Sequence, residues 1–164
     1  MKSKALRTAT LASLLPVLAL TPAERNPINL EGTFRLVSRD LPDGTTVGPP
    51  DTQGLLTYAE GYRNFNIYWT DAGGNPTSIA VIAEYELTED TYTETNVYTM
   101  VNEAAAGGVQ YDLAPTSGSA PVNRSESGLS MKLPLRGEPD VVVTADGLTA
   151  TMEGEFVDHW ERVK

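Results

Sequence analysis

The sequence predicts an all-β protein: a single antiparallel up-and-down β-barrel of about eight to ten strands, behind an N-terminal signal segment. Three observations point there. After Pro27, short runs of β-branched and aromatic residues follow one another with turn residues between them. No stretch of helical periodicity of comparable strength interrupts those runs. Strands in sequence order joined by short turns favour a meander that closes on itself and so hides its edges. With 164 residues, 40% hydrophobic and 21% charged, the chain suits one packed domain, placed at 28–164.

Residues 1–23 have the pattern of a secretory signal peptide, with Lys2, Lys4 and Arg7 before an apolar stretch at 11–20 broken only by Ser13 and Pro16. The alternative is an N-terminal lid helix kinked at Pro16. Cleavage could follow Ala19 or Ala23, and the expected location is periplasmic or secreted. The apolar stretch is too short to cross a bilayer, so no membrane insertion is expected after signal removal. The formal charge of −10 becomes −13 once those three basic residues leave. Such a surface repels nucleic acid, which is not expected as a partner.

The strands follow in order. Residues 32–39 alternate Phe34, Leu36 and Ser38 on one face with Thr33, Arg35 and Val37 on the other, ahead of a Pro42-Asp43-Gly44 turn. Residues 54–59 and 62–70 meet across Glu60-Gly61, a natural two-residue hairpin turn. That register sets Tyr58 opposite Arg63 and Leu56 opposite Phe65, placing Leu56, Tyr58, Phe65, Ile67 and Trp69 on one face. After the loop at 71–76, residues 78–87 and 92–101 form two longer strands, with Leu87 opposite Tyr92. Their shared face carries Ile79, Val81, Tyr85, Tyr92, Glu94, Asn96, Tyr98 and Met100, a mixture that suits a ligand cavity. Residues 103–127 read as a long loop with one short strand at 109–113. Runs at 129–135, 141–144, 148–153 and 156–163 complete the set, the Asp146-Gly147 pair marking another hairpin.

The absence of cysteine removes disulfides and thiolate chemistry, and the single histidine, His159, argues against multi-histidine metal sites. Alternation turns His159 outward, with Phe156, Asp158, Trp160 and Arg162 on the other face. No phosphate loop, nucleotide fingerprint or calcium loop is present, and no cofactor is expected. Arg63, Glu94, Asn96, Asp158 and Arg162 fall on faces otherwise apolar, where charges need partners. Internal pairs such as Arg63 with Glu94, or Asp158 with Arg162, would answer that need; a role for one or two in orienting a ligand is the other reading.

Gly32-Thr33-Phe34-Arg35-Leu36-Val37-Ser38 and Trp160-Glu161-Arg162-Val163 resemble the two terminal motifs of the bacterial lipocalin-like domain family. Asp43-Gly44, Gly54-Leu55-Leu56-Thr57-Tyr58 and Gly61-Tyr62 resemble its intervening segments. The resemblance covers residues 30–70 and 145–164, and elsewhere only the strand rhythm matches. It implies a lipocalin-like barrel with a ligand-sized pocket. In the wider lipocalin group a Gly-x-Trp on the first strand packs under the barrel against an arginine from the last. Phe34 holds that Trp position here, so the resemblance implies a structural contact of Arg162 over the Phe34 ring.

The expected partner is a small hydrophobic molecule. The candidate ligand-binding residues are Tyr58, Phe65, Trp69, Tyr85, Glu94, Tyr98, Met131, Leu133 and Trp160, because aromatic rings with polar tips grip and orient an apolar guest. Some lipocalin-like barrels act as cyclases, which keeps open a cyclase or isomerase acting on a hydrophobic natural-product intermediate. Glu94 or Asp158 would then be the acid or base and Tyr98 a hydrogen-bond donor. A filled barrel with a structural or partner-binding role is the third reading.

Overall fold

A computed structural model describes residues 29–71 and 73–164. The proposed signal peptide or lid helix at 1–23 lies outside the described residues. The strands are β1 (Gly32–Asp40), β2 (Thr46–Val47), β3 (Thr52–Ala59), β4 (Tyr62–Thr70), β5 (Pro76–Leu87), β6 (Thr91–Glu103) and β7 (Gly108–Asp112). They continue with β8 (Ser117–Pro121), β9 (Asn123–Arg124), β10 (Leu129–Lys132), β11 (Asp140–Val143), β12 (Gly147–Met152) and β13 (Phe156–Arg162). Among the described residues the helical structure is one 3-10 turn, Ala104–Ala106.

All thirteen strands belong to one antiparallel sheet, ordered β7-β6-β5-β4-β3-β1-β13-β12-β11-β10-β9, with β2 on β1 and β8 on β6. The first and last long strands are therefore neighbours, and the chain meanders away from that seam on both sides. The sheet bends until the rings of Phe65 on β4 and Trp160 on β13 stand 5.9 Å apart. One buried cluster joins both wings, from Leu56 and Ile67 to Val141 and Leu148.

The closed barrel of eight to ten strands expected from the sequence needs correction, because the sheet has thirteen strands and is not closed. Its two ends approach without pairing: a Cβ placed on Gly118 of β8 would lie 3.0 Å from Leu135 Cδ2, and Arg124 Nε of β9 donates to Glu89 O at 2.9 Å. In 103–127, expected to be mostly loop, the short strand expected at 109–113 forms as β7, and β8 and β9 are added. There β7 covers one half of the β6 edge, at Thr99 to Glu103, and β8 the other, at Thr91 to Thr95. Backbone donors and acceptors pair whatever side chains they carry, so a segment rich in small residues joined the sheet without a hydrophobic alternation to announce it.

The turns set the expected registers. Glu60 and Gly61 both have positive φ, 51° and 80°, as a type I′ hairpin requires, and Tyr58 pairs with Arg63 and Leu56 with Phe65. Leu87 pairs with Tyr92. Gly54 leaves the room that the Trp160 ring occupies, since a Cβ there would meet Trp160 Cη2 at 2.6 Å.

Two bulges change what faces inward. In β1, Leu36 pairs with Trp160 and Ser38 with His159, so Val37 is the extra residue. In β6, Asn96 pairs with Ala83 and Tyr98 with Ile82, so Val97 is extra. Each valine is 45% exposed. Beyond each bulge the alternation resets by one residue, turning Arg39 and Thr99 inward and leaving both buried.

Candidate functional site

The concave side of the sheet encloses a cavity of about 750 Å3. Its walls carry Leu56 from β3, Ile67 from β4, Ile79 and Val81 from β5, and Val141 and Leu148 from β11 and β12. Four large rings, Phe65, Trp69, Phe156 and Trp160, complete the apolar lining. The alternation of each strand supplies these residues, since every second side chain of an inner face points the same way.

Two buried arginines stand toward the two ends of this wall. Arg39 grips Asp158 with a fork of hydrogen bonds, Nε to Oδ1 at 2.6 Å and Nη2 to Oδ2 at 2.8 Å. Its guanidinium lies 4.1 Å from the Phe156 ring centroid and 5.5 Å from that of Trp69. Bidentate geometry and aromatic faces on the cation make this pair electrostatically complete.

Arg63 is placed differently. Its Nη1 donates to Glu94 Oε1 at 2.8 Å and to Glu138 at 3.1 Å and 3.3 Å. The Tyr92 hydroxyl donates to the other oxygen of Glu94 at 2.6 Å. Burial works against the charge on Arg63, yet Glu138 and Glu94 outweigh it and hold the guanidinium pKa well above its ordinary value. Burial pushes Glu138 upward, helped by the charge of Glu94 and opposed by Arg63 and, less strongly, by Arg136. Burial also raises the Tyr58 hydroxyl to about 12 and lifts Tyr92, so both remain protonated donors. Two buried N–H groups, Arg63 Nε and Trp160 Nε1, have no acceptor among the described residues.

Glu138 comes from the connection between β10 and β11. Leu133 N donates to Pro139 O at 3.1 Å and Glu138 N to Leu135 O at 2.9 Å, while Arg136 and Gly137 take positive φ. This tight turn carries the carboxylate to the cavity wall.

Of the residues singled out from sequence, Tyr58, Phe65, Trp69, Leu133 and Trp160 line the cavity. Glu94 is fully buried behind Arg63, and Met131 lies in the core beside the cavity. Tyr85 packs below, with its ring 5.0 Å from Tyr58 and 6.0 Å from Tyr92, and its hydroxyl donates to Glu31 at 2.6 Å. Tyr98 needs correction: the bulge at Val97 puts it opposite Ile82 and in line with exposed Asn64, on the outer face. Met100 turns outward for the same reason, onto an outer-surface groove. Asp158 pairs with Arg39 and not with Arg162, whereas Arg63 does pair with Glu94.

Arg162 lies 4.4 Å over the Phe34 ring and donates to the backbone oxygens of Glu31 and Asn29. His159 faces outward, its Nε2 2.9 Å from Asp40 Oδ2. Sequence reasoning missed Arg39 and Glu138. Simple alternation puts Arg39 on the outer face, and nothing in Pro134-Leu135-Arg136-Gly137-Glu138-Pro139 beyond its turn residues marks a cavity group. Among the described residues no three His, Asp or Glu side chains converge as a metal site would require.

No family model matches this chain and no curated protein matches it. Among solved structures it is similar to an uncharacterized protein from Bacteroides eggerthii, with 14% identity and a TM-score of 0.36 over 82% of this chain and 100% of that one. A likeness of that degree leaves fold and site to be argued from their own geometry.

Proposed function

We propose that this protein binds a small, mainly apolar molecule inside the curved sheet, in the manner of a lipocalin-like barrel. The observation that carries the reading is a cavity of about 750 Å3 with aliphatic and aromatic walls, within the roughly 300–1,000 Å3 common for small-molecule sites. Shape and apolar contact supply the affinity, since the arginines of the wall are already engaged by carboxylates. Export to the periplasm or medium belongs to the same proposal and is supported by the basic start and apolar stretch of residues 1–23.

A cyclase or isomerase would draw on Glu94, Asp158 and Tyr98. Glu94 has no exposed surface, Asp158 is held in the Arg39 fork, and Tyr98 is on the outer face. Binding is therefore the better supported reading.

The two tryptophans of the chain, Trp69 and Trp160, both line the cavity, so their fluorescence reports its occupancy. Titration with the neutral dye N-phenyl-1-naphthylamine is expected to quench that emission saturably by energy transfer. Ala150→Phe, which fills the cavity from β12, is expected to abolish the quenching while circular dichroism shows an unchanged sheet. An unsaturable signal, or one indifferent to the filling variant, overturns the proposal.

A further inference from the structure

The charged groups of the cavity wall do not balance, and the imbalance has a definite location. Three arginines line the cavity, Arg39, Arg63 and Arg136, against five acids, Asp51, Asp71, Glu138, Glu155 and Asp158. Arg39 is matched by Asp158, and Arg136 reaches outward to Asp112 at 3.1 Å. Arg63 is matched by Glu94, which sits behind the wall at 2.8 Å and has its second oxygen capped by Tyr92. Asp71 is turned into its own loop, where it accepts from the backbone of Gly73 and Asn75 at 2.8 Å each, and Asp51 and Glu155 are exposed, so that water screens their charges.

Glu138 is left to share a guanidinium nitrogen that another carboxylate already holds, at the longer distances of 3.1 Å and 3.3 Å. Its side chain is only 15% exposed, too little for water to screen it fully. Arg63, Glu94 and an ionised Glu138 together carry one surplus negative charge in a buried setting. Such a charge is costly unless a cation joins it. Glu94 has no exposed surface and Glu138 lines the cavity, so the surplus is presented to a guest through Glu138. Burial is the first cause of the raised pKa of Glu138, and Glu94 adds to it against the opposing charges of Arg63 and Arg136.

We propose that the cavity selects a ligand with an apolar body and a positively charged nitrogen, the protonated amine pairing with Glu138 beside Arg63. This rests on the ligand-cavity reading above and names the chemical class of its guest. The body lies along the aliphatic and aromatic wall toward Trp69, and the ammonium donates to the Glu138 oxygens. An anionic head group meets the carboxylates of Glu138 and Glu94, while Arg63 is held by both of them and the guanidinium of Arg136 is engaged by Asp112.

The test is displacement of N-phenyl-1-naphthylamine from the full chain at pH 7 and 0.15 M salt by three ligands sharing a ten-carbon tail: decylamine, decanol and decanoate. Decylamine is expected to displace the dye at concentrations about tenfold or more below decanoate, with decanol between them. Glu138→Gln, or Glu138→Ala if the first variant folds poorly, is expected to bring the three within about threefold of one another while decanol binding persists. Glu126→Gln, an exposed acid elsewhere, is expected to leave the preference intact. Equal or tighter binding of decanoate overturns the charge selection and leaves the apolar-ligand reading standing. A preference that survives loss of Glu138 assigns it to the acidic surface and overturns the proposal equally. Absence of dye and decanol binding removes the ligand reading itself.

Discussion

The two buried arginines of the cavity have the same chemistry and opposite settings. Trp69, beside Arg39, and Arg63 are six residues apart on β4, roughly 20 Å along a strand. Arg39 has one carboxylate, held by two parallel bonds and flanked by aromatic faces. Arg63 has two carboxylates crowded on one nitrogen, and its Nε finds no acceptor. The first arrangement closes a charge account on the wall, while the second leaves one open. A buried ion pair is therefore not one kind of object: its partner count decides whether it is inert lining or a point of recognition.

The largest effect that tests this contrast is expected from Arg63→Met. It strands Glu94, which is 0% exposed, and is expected to destabilise the protein by about 3–5 kcal/mol, read from the urea unfolding midpoint. Adding Glu94→Gln is expected to recover much of the loss, because the buried charge then disappears while Tyr92 keeps a partner.

Arg39→Gln is expected to cost less, about 2–3 kcal/mol. Its pair retains 10% and 4% side-chain exposure, so an abandoned Asp158 regains some hydration. The same urea series decides the order, and a larger loss at Arg39 than at Arg63 would break the contrast drawn between them.

The smallest effect is the pH response of Glu138. Its folded-state pKa is raised, with burial the leading cause, so the folded protein binds this proton more tightly than the unfolded chain does. The resulting contribution to stability is fully present below the ordinary glutamate pKa and is lost as pH rises through the raised value. Wild-type stability relative to Glu138→Gln is therefore expected to fall across that window. A difference between the two unfolding curves that grows in the opposite direction would contradict the undercompensated state of Glu138.

Much of the inner wall was legible in the sequence because tight turns set register locally. Glu60-Gly61 placed Tyr58 against Arg63, and the turn at 88–91 placed Leu87 against Tyr92, so Phe65, Trp69, Ile79 and Val81 followed by alternation. The Arg63–Glu94 pair was foreseeable on the same ground, as two charges on apolar faces of nearby strands. Arg39 and Tyr98 were not legible, because each follows a bulge that exists only relative to the partner strand. A valine that is one residue too many in a pair looks like any other strand valine when read alone. The short strand expected at 109–113 is β7, whereas β8 escaped notice because its pairing rests on backbone groups, with little hydrophobic alternation to mark it.

By itself the sequence determined the all-β character, the hairpin registers next to its tight turns and the set of charges that apolar faces would have to accommodate. Tertiary structure decided that the sheet stays open at its ends, that Arg39 faces inward and that Glu138 arrives from a distant turn to share Arg63. The division has one physical reason. Side-chain alternation and turn geometry act over a few residues, whereas bulges, cavity enclosure and the sharing of a buried cation depend on segments that meet only when the sheet curls.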